Sequence, residues 1–155
     1  APNLSVKENL EFICEIHGFS KEKNAEKIEE LSKQFGLENI LHKKAGKLSG
    51  GLQRRLSIAM ALISEPSVLF LDEPTLGLDV IARSELWDII NGLKGRTTVI
   101  LTTHYMEEAE SLSDRIGIMK NGKLLAVGTA QELIKMTASK SFEDAFISIV
   151  KGEKK

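Results

Sequence analysis

An α/β fold is the class this sequence predicts, on three observations. Before Pro66 the residues read only as helices, three segments each preceded by a serine that can cap it. After Pro66, the short apolar runs Val68-Leu69-Phe70-Leu71 and Thr98-Val99-Ile100-Leu101-Thr102 alternate with helical patterns. Near the end, Asn121-Gly122 joins two further strands, the strongest short hairpin signal. The expected architecture is a mainly parallel sheet with a terminal antiparallel hairpin, plus an N-terminal α-helical subdomain. Its division falls between residues 1–65 and 66–155.

Ser5-Val6-Lys7-Glu8 is a capping box, followed by Val6, Leu10, Ile13 and Cys14 at helical spacing. Gly18 stops that helix, and Ser20 caps the next, whose stripe is Ala25, Ile28, Leu31 and Phe35 before Gly36. A polar stretch from His42 to Lys47 leads to Ser49, the cap of a third helix with Leu52, Leu56, Ala59, Met60 and Ile63 on one face. Glu65-Pro66 closes it. The strand Val68–Leu71 is expected to be covered on both faces, as is Thr98–Thr102. Between them Ile81–Leu93 reads as a helix with Ala82, Leu86, Ile89, Ile90 and Leu93 inward. Met106–Leu112 is a short acidic helix, Arg115–Met119 and Lys123–Val127 are the hairpin strands, and Thr129-Ala130-Gln131-Glu132 is a second capping box. Ser141–Val150 is the last helix.

Composition narrows the function. The 155 residues, 42% hydrophobic and 28% charged, are ordinary for one soluble globular domain. Lys+Arg 21 against Asp+Glu 22 leaves a net charge of −1, so no global basic field holds nucleic acid or an anionic membrane, and any phosphate chemistry is local. One cysteine, Cys14, excludes an internal disulfide framework and a Cys-built zinc site. The apolar runs are too short to cross a bilayer, and the opening Ala1-Pro2-Asn3-Leu4-Ser5 has neither the basic nor the apolar part of a signal peptide. Without an initiator Met, the chain is expected to be a processed or truncated piece of something longer.

Three short segments carry chemistry. Val68–Leu71 delivers Asp72 and Glu73 at the carboxyl end of a strand, where open α/β sheets bind ligands. There Asp72 suits Mg²⁺ held through water, and Glu73 suits activation of the water that attacks a γ-phosphate. Taken alone, Asp-Glu-Pro reads more readily as a turn after a strand. Leu48-Ser49-Gly50-Gly51-Leu52-Gln53 opens a helix whose N–H groups can approach an anion. By itself that is a helix start with a flexible entry. Thr102-Thr103-His104 follows the second strand, so His104 is expected beside Asp72–Glu73 as a donor to a terminal phosphate. A lone histidine at a strand end more often serves a structural hydrogen bond.

In combination, Leu48–Gln53, Val68–Thr75, Gly77-Leu78-Asp79 and His104 resemble the nucleotide-binding domain of ABC transporters. Leu48–Gln53 looks like the signature motif, Val68–Asp72 like Walker B with Glu73 catalytic, Leu76–Asp79 like the D-loop, and His104 like the switch histidine. The resemblance covers nearly the whole chain, since Leu4–Leu10 looks like the opening of that family's helical subdomain. The tail, Gly128–Leu133 and Ser141–Phe146, is similar to ABC-2-type exporters of drugs, lipids or ions. It implies a partial P-loop NTPase fold that binds ATP and Mg²⁺ and powers export. It also implies two domains paired head to tail. Ser49, Gly50 and Gly51 would touch the γ-phosphate of ATP held by the opposite subunit. Asp72, Glu73 and His104 would act on their own, and Asp79 would cross the seam. Implied partners are a transmembrane permease and a second nucleotide-binding domain, at the cytoplasmic face of the plasma membrane, with no nucleic acid. Two other classes compete with this one. Soluble ribosome- or DNA-associated ATPases of the same type fit less well, because Leu76-Gly77-Leu78-Asp79 is transporter-like and no sustained heptads appear. A catalytically dead module has no use for Glu73 and His104.

The sequence departs from the family in two places. No G-x-x-x-x-G-K-[ST] phosphate loop occurs in the 155 residues. The near match Gly117–Leu124 lacks the Mg²⁺-binding hydroxyl and precedes a strand where a helix must start. The Q-loop and the adenine-stacking aromatic are absent as well. The chain is thus expected to be the C-terminal part of the ATPase domain, soluble and inactive alone, with its Walker A region supplied from elsewhere. An exposed sheet edge or apolar face, with self-association, is the expected consequence. Leu52 stands where the signature commonly has Gln. Arg54 and Arg55 read as phosphate-side or interface cations, or equally as a solvated helix face. His17 and His42 lack a second metal ligand, Trp87 reads as packing, and Glu107–Glu110 as a solvated acidic face.

Overall fold

The computed structural model describes residues 1–152, and they form two compact units, Ala1–Thr102 and the chain from Thr103 onward. The division by sequence pattern near Pro66 falls inside the first unit.

The first unit runs α1 (Val6–Ile16), α2 (Lys21–Gln34), α3 (Gly50–Leu62), β1 (Val68–Asp72), α4 (Val80–Asn91) and β2 (Thr98–Thr102). Its helices start where the caps dictate. Ser5 Oγ accepts from Glu8 N–H while the Glu8 carboxylate accepts from Ser5 N–H, and Ser20 and Ser49 cap α2 and α3 through single bonds. Val6, Leu10, Cys14, Leu31, Phe35, Leu37, Leu56, Ala59 and Ile63 are buried in this unit, and α1 packs on both α2 and α3. Burial raises the Cys14 thiol's pKa, as befits a small core hydrophobe.

The opening segment is stitched to the loop before α3. Val6 N–H donates to the Lys43 carbonyl at 2.9 Å, Ala45 N–H to Leu4 at 2.9 Å, and Gly46 N–H to Pro2 at 2.9 Å. A Cβ at Gly46 would stand 3.0 Å from the Pro2 carbonyl oxygen, so a side chain there would push the opening segment back by a few tenths of an ångström. Asn9, 2% exposed, organises the other side: its Nδ2 donates to the carbonyls of Ala1, Leu4 and Ser5 at 3.1, 3.3 and 2.8 Å. Nothing in the periodicity marks Asn9, which sits on the apolar face of α1. Asn9→Leu keeps the branching at Cγ but removes a donor from all three carbonyls, each of which retains one backbone N–H, and is expected to cost about 0.5–1.5 kcal/mol. An unchanged urea midpoint for that variant would contradict the assignment.

A second tie joins α2 to the α3–β1 junction. Lys27 Nζ lies 2.5 Å from Glu65 Oε1 and 3.0 Å from Glu30 Oε2. The Lys27 ammonium holds the Glu65 carboxyl below its ordinary range. A depressed carboxyl pKa adds stability above its unfolded value of about 4.3, lost as pH falls through the folded one. Glu65→Gln should therefore flatten the acid side of the stability–pH curve, and a curve of unaltered shape would disprove the tie.

Strands β1 and β2 pair in parallel, Val68 opposite Thr98 through Asp72 opposite Thr102. The expectation of strands covered on both faces does not hold. Leu69 and Leu71 are buried, but Val68, Phe70 and Ile100 are 42%, 73% and 48% exposed on the other face. An apolar run on both sides of the pleat predicts two-sided burial, whereas the described residues supply a covering layer to one side only. The exposed apolar face anticipated from the missing phosphate loop is thus present.

The second unit runs α5 (Met106–Leu112), β3 (Ile116–Lys120), β4 (Lys123–Gly128), α6 (Ala130–Thr137) and α7 (Phe142–Lys151). Ala109, Ile116, Ile118, Leu133 and Phe142 form its core. Asn121 and Gly122 take φ of 50° and 72°, the two left-handed positions that a tight hairpin turn requires. The pair is antiparallel with an irregularity between Ile118 and Met119. The parallel strands and the terminal hairpin form separate two-stranded sheets rather than one continuous sheet. Gly117–Leu124, the phosphate-loop near match, is strand, hairpin turn and strand, so its rejection stands. Of the acidic run, Glu107 and Glu110 face solvent, but Glu108 is 0% exposed, because it shares the inward side of the short helix with Ala109 and Leu112.

Candidate functional site

Six of the seven predicted site residues, Ser49, Gly50, Gly51, Asp72, Glu73 and Asp79, belong to the first unit, and His104 opens the second. Each of the six sits at the end of a regular element.

Ser49 is the N-cap of α3, in extended backbone, and its Oγ accepts from Leu52 N–H at 3.4 Å. With its oxygen engaged as acceptor, the hydroxyl proton is directed away from the helix. Ser49 and Gly50 are exposed, and Gln53 Nε2 donates to the Leu48 carbonyl at 2.9 Å, anchoring the turn. A Cβ on Gly51 would meet the Ala82 Cβ of α4 at 3.1 Å, and one on Gly50 the Leu78 side chain at 3.7 Å. Glycine thus brings α3 against the loop and helix that carry Asp79. Leu52 engages the cap through its backbone alone, so leucine in place of the common Gln leaves that bond intact.

Asp79 is the N-cap of α4, its Oδ1 accepting from the N–H groups of Ile81 and Ala82, each at 3.0 Å. This carboxylate is spoken for on one oxygen by a structural role that its sequence position does not announce.

Asp72 ends β1, and its Oδ1 accepts from the Thr102 hydroxyl of β2. Glu73 follows with φ 44°, a left-handed conformation that costs a non-glycine residue about 1–3 kcal/mol. Its N–H donates to the Thr102 carbonyl at 3.1 Å and lies 3.2 Å from Thr102 Oγ1. Its carbonyl accepts from Leu76 N–H at 3.1 Å and from Arg54 Nη2 at 3.4 Å. Pro74 and Thr75 are buried directly behind it. The backbone is over-determined, so the strained turn persists and sets the direction of the Glu73 side chain.

The two arginines do not form a solvated helix face. Arg55, with a side chain 14% exposed, pairs with Glu85 of α4, and Arg54 reaches Glu73. Sequence reasoning named Thr102, Arg54 and Arg55 but not their partners, which lie 19 to 30 residues away. Arg83 stands 5.8 Å over the Trp87 ring, in keeping with Trp87 as packing.

In the second unit His104 is exposed, its ring 4.1 Å from that of Tyr105 and tilted 40°. Thr103 Oγ1 accepts from Tyr105 N–H at 3.0 Å, which shapes the turn holding the histidine.

No cluster of three or more His, Cys, Asp and Glu side chains suited to a metal occurs among the described residues. One exposed carboxylate, Asp72, with an oxygen beyond the one bonded to Thr102, fits Mg²⁺ instead, which takes one or two carboxylates and fills its shell with water and phosphate. Among the described residues no helix is long and apolar enough to cross a membrane.

The ABC transporter family pattern matches residues 1–76. The chain is 45% identical over 131 residues to the daunorubicin resistance ATP-binding protein DrrA3 of Streptomyces coeruleorubidus, covering 84% of this chain and 42% of that protein. It is 43% identical over 128 residues to the phospholipid-transporting ATPase ABCA3 of Homo sapiens, covering 83% and 8% respectively. To the probable multidrug ABC transporter ATP-binding protein YbhF of Escherichia coli K12 it is 41% identical, covering 96% and 26%. The chain therefore spans less than half the length of each of these relatives. A solved ATP-binding subunit of an ABC transporter superposes with a TM-score of 0.80 at 26% identity, covering 96% of this chain and 63% of that one.

Proposed function

Because the chain belongs to the ATP-binding domains of the ABC transporter family, we propose that it supplies the hydrolytic and signature parts of an ATPase that powers export across a membrane. Residues 1–65 act as the helical subdomain and 66–155 as the carboxyl part of the ATPase core. The observation that carries this reading is Glu73, held in a strained turn at the carboxyl end of β1 by Thr102. Glu65, Asn121 and Ala138 share that conformation at helix ends and a hairpin turn, whereas Glu73 stands at the carboxyl end of a strand next to Asp72.

Glu73 orients and deprotonates the attacking water, and Asp72 is the residue that would hold Mg²⁺, through water. When bound, Mg²⁺ neutralises charge developing on the phosphate oxygens. His104 donates to the terminal phosphate. Ser49, through its hydroxyl proton, and the N–H groups of Gly50 and Gly51 grip the γ-phosphate of ATP held by a second such domain, at the positive end of α3. Asp79 keeps its cap on α4 and presents its other oxygen across the seam. ATP thus completes the interface, and hydrolysis removes the phosphate that joins the halves. The partners are a second nucleotide-binding domain and a transmembrane permease, at the cytoplasmic face of the plasma membrane. Relatives named for daunorubicin resistance, multidrug transport and phospholipid transport support an exporter.

The 155 residues contain no phosphate-cradling loop. By themselves they are expected to bind ATP no more tightly than about 1 mM and not to hydrolyse it. Calorimetric titration with ATP and Mg²⁺ checks the first part and phosphate release the second. Tighter binding, or turnover that Glu73→Gln abolishes, would contradict the division of labour.

A further inference from the structure

We infer that Arg54 is a positioning residue for the Glu73 carboxylate. This inference rests on the catalytic reading of Glu73 given above. Arg54 stands in the second turn of α3, five residues beyond the Ser49 cap, and its side chain is half-buried. Its Nη2 donates to the Glu73 carbonyl oxygen at 3.4 Å. That carbonyl belongs to a residue at φ 44°, whose N–H is already tied to Thr102. The backbone at Glu73 sets the direction in which its side chain leaves the turn: the N–H is held from the β2 side, and the carbonyl by Leu76 N–H and, from α3, by Arg54. Removing the Arg54 donor leaves that carbonyl to the Leu76 N–H alone and cuts the tie to α3, so the strained backbone can shift toward ordinary values.

The consequence reaches beyond one residue. In the proposed pair, the N-terminus of α3 serves the nucleotide of the opposite domain, while Glu73 serves its own. Arg54 lies on α3 and bonds to Glu73, so a displacement of the signature helix on meeting a phosphate is passed to the neighbouring catalytic turn. The neighbouring Arg55 does not duplicate this, since it ties α3 to Glu85 of α4 instead.

The test uses the complete transporter ATPase that contains these residues, with Arg54→Met, Glu73→Gln and the two combined. Arg54→Met keeps the length and the apolar stem and removes the donor. It is expected to lower kcat about tenfold or more with KM for ATP unchanged, since small misplacement of a reacting group is costly. In the Glu73→Gln background it is expected to change the residual rate by less than about twofold, because its effect passes through the lost carboxylate. Arg54→Lys, which keeps a cation with a shorter reach, should recover part of the rate and serves the same comparison if Arg54→Met does not fold. Two outcomes overturn the inference: an unaltered kcat in Arg54→Met, or the same fold-loss with and without the Glu73 carboxylate. If Glu73→Gln itself leaves kcat intact, the catalytic reading fails rather than this link.

Discussion

Glu73→Gln lowers kcat of the complete ATPase by about 10²–10⁴-fold, the usual contribution of a positioned general base. The amide matches the carboxylate in size, and the backbone bonds at Glu73 are kept: the N–H donates to Thr102, and the carbonyl accepts from Leu76 and Arg54. KM for ATP should stay within about threefold, because uniform binding is not what the base provides. Glu73→Gly is the informative companion. It removes the same carboxylate and also the Cβ that makes φ 44° costly. Activity is lost to a similar extent, whereas stability is expected to hold or rise by up to about 1 kcal/mol, the strain relief net of glycine's added chain entropy. A stability loss in Glu73→Gly would mean that the left-handed turn is ordinary local structure and not strain retained for the carboxylate.

The second large effect is at Ser49. Ser49→Ala removes both the cap on α3 and the proposed hydroxyl donor to phosphate. Loss of the cap costs about 0.5–2 kcal/mol. Loss of a preorganised donor to developing charge costs about 10²–10³ in kcat. Ser49→Asp separates the two roles. Aspartate caps a helix as well as serine does, so thermal stability is retained. The added carboxylate faces the γ-phosphate with like charge, so ATPase activity falls at least as far as in Ser49→Ala. If Ser49→Asp restores activity together with stability, Ser49 is a cap and nothing more.

Much of this was legible from local sequence, for a physical reason. Helix caps depend on residues three apart, so Ser5-x-x-Glu8 and Thr129-x-x-Glu132 announce their helices and the structure contains both boxes. Asn121-Gly122 is equally local, since two consecutive left-handed residues select its chemistry. The carboxylates at the end of β1 were visible because an apolar run followed by Asp72-Glu73 fixes where they emerge. What sequence did not disclose depends on distant partners. Thr102, 29 to 30 positions from Glu73 and Asp72, bonds to both. Arg54 and Arg55 are adjacent in sequence and exposed to the same reading, yet one turns to Glu73 and the other to Glu85. Asn9 occupies an apolar-face position and is explained only by the carbonyls of the folded-back opening segment. Phe70 looked like core because an apolar strand carries no mark of whether both its faces are covered.

A mixed pair of domains tests most directly whether each chain's signature completes its partner's centre. Steady-state ATP hydrolysis is compared for two assemblies of the complete ATPase. In one, Ser49→Ala and Glu73→Gln sit on opposite chains; in the other, both sit on one chain opposite an unaltered partner. The account predicts that the first retains one undamaged centre and measurable turnover, and that the second retains none. The reverse ranking would mean that Ser49 and Glu73 of one chain serve the same nucleotide, and would contradict the account at its root.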